Sequence, residues 1–370
     1  VTAVGGCAAC SSRPFRIFFV VAALAALAGV LPWLAGVLPA DTTAAAWHGE
    51  VLLFGMVPAV MAGFLLTALP RWTRSQPVPR HVVRGLVMVW LAGRATHLWL
   101  PTLAAPMAAG FILCIAAVVA VGVLRAGATR EIKVVLLLVL LAAAAVVPEP
   151  IPDIIPTGFR LRLALAAILG LVAVIGGRVA PALTASYISL RGLNDCRRLP
   201  RPFEIAAAVS LAIALGFWCC DAAGQALASL TAAILQAIRL LGWRPWRVAG
   251  NPGLLAIHLA YAWIPLGLGL NALRGAGLGV GEIAVLHAWA VGAVGLMCLA
   301  VMASMVRRQS RLAFSSTAGS LAMLAAGAVA APLRLLPDFG LPVQLSQAAL
   351  CWSAAFLLFL AAYRRPLGLS

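Results

Sequence analysis

The length and spacing of the apolar runs constrain this chain more than any other feature. Apolar runs occupy approximately 15–38, 46–69, 83–101, 103–124, 132–148, 161–183, 203–220, 222–242, 253–273, 281–304, 313–332 and 341–362. Each is about 17–25 residues, the length of a helix that crosses a bilayer. The runs are continuous rather than alternating, which excludes a β-barrel. Charged residues make up only 10% of the 370, whereas a soluble domain carries about 25%. No interruption is long enough for a soluble domain. The expected fold is therefore all-α: a polytopic transmembrane helical bundle of about twelve spans. It forms a single transmembrane domain over residues 1–370, with a short tail over 1–14. The first run is also too long for the apolar core of a cleavable signal.

The basic residues test this division. With the N-terminus inside, the inside segments hold 21 of the 27 Lys and Arg, from Arg13 and Arg16 to Arg364 and Arg365. The outside loops hold Arg160, Arg162, Arg274 and Arg334, and Arg94 and Arg178 fall within spans. That split follows the positive-inside rule and predicts both termini in the cytoplasm. The net charge of +17 is thereby assigned to topology, and a nucleic-acid partner is excluded. The partner implied by the composition is the lipid bilayer.

Eight cysteines form no disulfide framework. Five lie in predicted spans, and Cys7, Cys10 and Cys196 fall on the reducing side. Cys7-x-x-Cys10 has the spacing of a soft-metal pair, although a lone pair on a tail is more often incidental. Met56, Met61, Met297, Met302 and Met305 read better as packing than as Cu(I) ligands.

Ionisable residues inside the hydrocarbon are costly, so each is a functional candidate. His48 and Glu50 open the second run from the outside. Arg94 and His97 lie three apart on one face of the third. His258 lies on the inner half of the ninth run, and His287 on the outer half of the tenth. Histidine stays neutral while binding haem iron or copper, which suits a low-dielectric site. The bland alternative for each is a hydrogen bond between helices. His48 and Glu50 are about 200° apart on a regular helix and cannot share one ion there. His258 and His287 start from opposite membrane faces, which permits two sites as readily as one. Ala288, Gly292 and Gly295 line one side of the tenth run, where small residues admit either a neighbouring helix or a flat macrocycle.

Several blocks together carry a resemblance. They are Trp47-His48-Gly49-Glu50 with Leu53-Phe54-Gly55, Ala62-Gly63-Phe64-Leu65-Leu66-Thr67-Ala68-Leu69-Pro70-Arg71-Trp72-Thr73, and Leu91-Ala92-Gly93-Arg94. To these add Gly176-Gly177-Arg178-Val179-Ala180-Pro181-Ala182-Leu183-Thr184, His258-Leu259-Ala260-Tyr261-Ala262-Trp263-Ile264-Pro265-Leu266-Gly267, and Leu286-His287-Ala288 continuing through Met297. The chain resembles the NnrS family from about Arg13 to about Arg311, and more weakly beyond. The resemblance implies a twelve-helix bacterial inner-membrane protein that binds haem and copper. It also implies a role in nitric oxide metabolism or resistance to nitrosative stress. Carried over residue by residue, the metal-ligand candidates are His48, His258 and His287, with Glu50, Arg94 and His97 as auxiliary residues. The match is that of a divergent member. The family pattern Trp-His-x-His-Glu reads Glu50 and Val51 at its last two positions, the usual Arg-Asn is Ala185-Ser186, and a later histidine is Gln309. A transporter of small molecules or metals, or a scaffold without cofactor, are the alternatives from other classes. The sequence names no redox partner.

Overall fold

The computed structural model describes residues 13–39, 42–148, 158–192, 199–312 and 317–369. Each predicted run falls on a helix. In chain order these are α1 (Pro14–Leu34), α2 (Ala44–Thr73), α3 (Arg80–Trp99), α4 (Pro101–Arg125), α5 (Ile132–Val146), α6 (Phe159–Ser189), α7 (Arg201–Cys219), α8 (Gln225–Gly242), α9 (Pro252–Gly275), α10 (Glu282–Gln309), α11 (Ala318–Phe339) and α12 (Leu345–Ala362). No strand occurs among the described residues. Ten of the helices are long and apolar enough to cross a membrane. The other two are α3, diluted by Arg80, His81, Arg84, Arg94 and His97, and α5, which has only 15 residues. The chain is a multi-pass helical membrane bundle. Cys7, Cys10 and Cys196 lie outside the described residues.

Helix starts are written in the sequence. Proline occupies the first turn of α1, α4, α7 and α9, where its missing N–H costs nothing. Thr43, Asn251 and Thr317 cap α2, α9 and α11 by accepting hydrogen bonds from Ala46, Leu254 and Ser320.

The centre of the bundle is α2 and α10. In these two, 78% of the most apolar window is buried, against 33–50% in the other eight spans. They pack on each other and on α1 and α6, with α9 and α11 against α10. Around this centre α3, α4 and α5 form one flank, α7 and α8 another, and α12 closes onto α1 and α11.

Both central helices are irregular. The α2 helix widens into a π-helical turn at Leu52–Met56, and α10 does so over Ala288–Gly295. A π turn inserts a residue, rotating everything beyond it by about 100° relative to a regular helix. Indole donors bind the widened segments and their neighbours. Trp90 Nε1 donates to the Gly55 carbonyl at 3.0 Å, Trp289 Nε1 to Ile264 at 3.2 Å, Trp352 Nε1 to Ala26 at 3.0 Å and Trp47 Nε1 to Ala28 at 2.8 Å. In hydrocarbon an indole N–H needs such an acceptor.

The small-residue face of α10 is filled by tryptophan. A Cβ on Gly292 would lie 2.3 Å from Trp263, and one on Gly295 would lie 2.3 Å from Trp352. At these two positions that face therefore serves close helix packing.

Arg178 and Arg239 are neutralised in place. Glu131 takes both terminal nitrogens of Arg178, whose guanidinium lies over Trp72. Arg239 binds Glu204, the Ala173 carbonyl and the Tyr261 hydroxyl, and the Tyr261 hydroxyl donates its own hydrogen bond to Gln236 Oε1. This network distinguishes two adjacent glycines of α6. A Cβ on Gly177 would meet Arg239 Nη2 at 2.3 Å, and that guanidinium is tied down on every side. A Cβ on Gly176 would make only ordinary contacts, at 3.7 Å to Met297 and Tyr261. Gly177→Ala is expected to destabilise by about 1–3 kcal/mol through overpacking. Gly176→Ala is expected to be neutral, or stabilising by up to about 1 kcal/mol. Thermal melting of the detergent-purified variants checks the contrast; equal effects would contradict it.

Candidate functional site

The end of the bundle where α2 and α10 begin is the one that the arginine distribution leads us to expect outside, and it is called the outer end below. His48 stands in the second turn of α2, started by the Thr43 cap. Its Nδ1 contacts the Ala44 carbonyl at 2.5 Å. His287 stands in the second turn of α10, with Nδ1 at 2.8 Å from the Ile283 carbonyl. A carbonyl only accepts, so Nδ1 carries the proton in both rings and each Nε2 keeps a free lone pair. The two ring centres are 6.2 Å apart. Each histidine precedes the π turn of its own helix, and such turns concentrate at functional sites.

A pair of arginines in the first turn of α6 holds this arrangement. Arg160 donates to Glu50 Oε2 at 2.6 Å, two residues beyond His48. Arg162, 4% exposed, grips Glu282 with Nε at 2.6 Å and Nη2 at 2.8 Å, at the residue that starts α10. One short segment of α6 thus clamps an acid on each histidine-bearing helix. Arg162 Nη1 also binds Asp221, in the turn between α7 and α8, and the Trp218 carbonyl; Arg274 donates to Asp221 at 3.1 Å. Sequence reading placed Arg160, Arg162 and Arg274 in outside loops. They instead belong to helix ends and bind acids there, because a buried guanidinium requires a partner.

Burial pushes the Asp221 carboxyl up, but the hydrogen bonds from Arg162 and Arg274 outweigh it and hold the group below its ordinary value. A carboxylate lowered in this way stabilises fully above its unfolded pKa of about 3.9, and the stabilisation is lost as pH falls through the folded value. Melting temperature is therefore expected to be insensitive to this group from about pH 5 to 8 and to drop below about pH 4. In Asp221→Asn that acid-side drop is shallower; an unchanged slope would contradict the assignment.

Glu50 makes no hydrogen bond with Arg94. Arg160 takes it. Trp90, Arg94 and His97 share the face of α3 that meets α2, and His97 stacks on Trp47 with ring centres 5.2 Å apart. His258 is not brought to the outer pair. Trp289, two residues past His287, is level with Ile264, which places His258 roughly 10 Å or more deeper at about 1.5 Å per residue. Thr184 donates to the Ala180 carbonyl and lies 2.8 Å from His258 Nε2, so that nitrogen donates to the threonine oxygen. Arg334 was not a candidate in the sequence. Paired with Asp338 at 3.2 Å, it lies near enough to act electrostatically on both outer imidazoles.

Deeper in the bundle, at about the level of His258, an apolar cavity of about 70 Å³ opens among α2, α6, α9 and α10, lined by residues including Met61, Phe64, Gly176, Met297 and Cys298. No titratable side chain other than the Cys298 thiol lines it.

Comparison with known proteins decides the lineage of this architecture. A family model described as NnrS protein matches residues 9–368. The chain belongs to the NnrS family. No curated protein matches it. The positions at which this member departs from the NnrS pattern now have surroundings. Glu50 is the acid clamped by Arg160, Ser186 Oγ donates to the Ala182 carbonyl at 3.0 Å, and Gln309 Nε2 lies 3.7 Å from Met305 Sδ at the inner end of α10. Among the described residues, no group of three or more His, Cys, Asp or Glu converges on one point. A metal at the outer pair would have two protein ligands in this NnrS chain. Nitrogen–metal bonds of about 2.0–2.1 Å put two imidazole centres about 5–6.5 Å apart, depending on the angle at the metal, a range that includes the 6.2 Å seen here. His48 and His287 are the residues that would hold such an ion or a haem iron at this end of the bundle.

Proposed function

We propose that His48 and His287 form a metal centre for haem iron or copper in the outer half of the bundle, serving nitric oxide metabolism or resistance to nitrosative stress. One observation carries this reading. Two free Nε2 lone pairs, on the two most buried helices, stand with ring centres 6.2 Å apart while each Nδ1 is fixed to its own backbone. That fixation sets the tautomer and raises ligand basicity, as outer-sphere hydrogen bonds do at metal-binding histidines.

The residues divide the work. His48 and His287 bind, Arg160 and Arg162 hold the two helices in register, and Trp263 and Trp352 exclude water from the α10 face. When bound, the metal supplies the coordination position that nitric oxide occupies. The apolar cavity supports this reading, since a small uncharged molecule enters it from lipid without losing hydrogen bonds. The arginine distribution supports a bacterial inner-membrane orientation with both termini cytoplasmic.

The test is a reduced-minus-oxidised optical spectrum of purified protein with metal analysis of the same sample, before and after nitric oxide. A stoichiometric metal whose spectrum shifts with nitric oxide is expected. A colourless, metal-free protein from a haem- and copper-replete host would shift the reading to transport or scaffolding.

A further inference from the structure

Beside the histidine pair, on the opposite side of α2, lies a second cluster that the metal reading does not use. It comprises Arg94, His97 and Glu50. Glu50 is 8% exposed, and its Oε1 is buried without a hydrogen-bond partner. Arg94 Nε and Nη1 are buried and unpartnered, and so is His97 Nε2. The acid that would neutralise Arg94 is taken by Arg160 at 2.6 Å. The neighbourhood therefore holds two guanidiniums and one carboxylate, leaving one positive charge in excess.

Every other intramembrane arginine described above has its acid. Arg178 has Glu131, Arg162 has Glu282 and Asp221, and Arg239 has Glu204. A buried, uncompensated cation is costly and is tolerated where a ligand completes it. The packing also reserves space for this guanidinium. Gly55, in the π turn of α2, lies so close that a Cβ there would come within 2.9 Å of Arg94 Nη1. Trp90, one turn earlier on α3, pins the same Gly55 carbonyl at 3.0 Å. The backbone of α2 is thus shaped to admit Arg94 and then gives it no acceptor.

We propose that Arg94, with His97 and Glu50, binds a single carboxylate or small oxyanion. Arg94 donates to the anion from one edge of its guanidinium, where Nε–H or Nη1–H acts together with Nη2–H in the forked geometry that suits planar oxyanions. Glu50 Oε1 accepts from a water that bridges to the anion. His97, stacked on Trp47, closes the side. The anion has two sources of the same chemistry: a carboxylate of a macrocycle bound at the histidine pair, or a free anion such as formate or nitrite. This site stands apart from the metal assignment, because a free anion would bind in a metal-free protein.

The experiment uses detergent-purified full-length protein at fixed ionic strength, titrated with formate against chloride. Melting temperature and tryptophan emission are read, since Trp47 and Trp90 border the site, and bound pigment is quantified in the same samples. A saturable formate response in the wild type that is lost in Arg94→Gln supports the site and identifies a free anion. A wild type insensitive to formate, whose pigment content falls in Arg94→Gln, supports the site with the macrocycle as source. If neither formate response nor pigment depends on Arg94, the proposal is overturned. A formate response equal in wild type and Arg94→Gln overturns it too. Should Arg94→Gln fail to fold, Gly55→Ala and Arg94→Lys serve instead. Each displaces or reshapes the fork and is expected to weaken whichever response the wild type shows by about tenfold, and unchanged binding in both would refute the role.

Discussion

His287→Ala and His48→Ala are each expected to lose essentially all metal bound at the outer pair, while His258→Ala keeps it. With only two protein ligands, deleting one removes half the coordination. The affinity loss should exceed the 10–100-fold typical of removing a hydrogen-bond partner behind a ligand. Neither alanine leaves a buried charge, so both proteins should fold, and size-exclusion profiles alongside metal analysis separate loss of metal from loss of structure. His258 provides the contrast. Its Nε2 is committed to Thr184, and it lies deeper than the pair. A His258→Ala protein as depleted as His287→Ala would mean that the ligand set crosses the bundle.

The second large effect is expected at Arg162. Arg162→Met leaves Glu282 and Asp221 with only Arg274 between them, and the Trp218 carbonyl without its donor. Breaking a fully buried ion pair costs about 3–5 kcal/mol. Both acids here are about a third exposed, so about 2–3 kcal/mol is the expected loss. Arg162→Lys should recover little, because one ammonium cannot replace a fork that serves two carboxylates. Since Glu282 begins α10, the substitution should also lower metal affinity at His287, by a smaller factor than deleting the histidine. A melting temperature unchanged in Arg162→Met would remove the clamp from this account.

The twelve apolar runs were legible because a span must be apolar throughout its length, and each run became a helix. Less legible was which runs lie at the centre. Nothing in the residues of α2 or α10 announces a π turn, since the extra residue becomes visible only once Trp90 and the small positions 55, 292 and 295 are packed. The tautomers of His48 and His287 were likewise hidden, because the acceptors are backbone carbonyls.

The clamp did leave a trace. Arg160 and Arg162 defied the positive-inside rule, and Glu50 and Glu282 were acids at the outer ends of two candidate helices. Pairing outer cations with outer acids would have pointed to α6. Gly292 and Gly295 misled in the other direction, since a small-residue stripe reads the same whether helix, macrocycle or indole fills it.

The central claim is that two imidazoles, one from each central helix, share one metal through Nε2. It is tested most directly by electron spin-echo envelope modulation of the purified protein loaded with one equivalent of Cu(II), which reports the remote, protonated nitrogen of each bound ring. The account predicts modulation from two imidazoles, falling to one in His48→Ala and in His287→Ala. Two-imidazole modulation that persists in either variant, or none in the wild type, would contradict it.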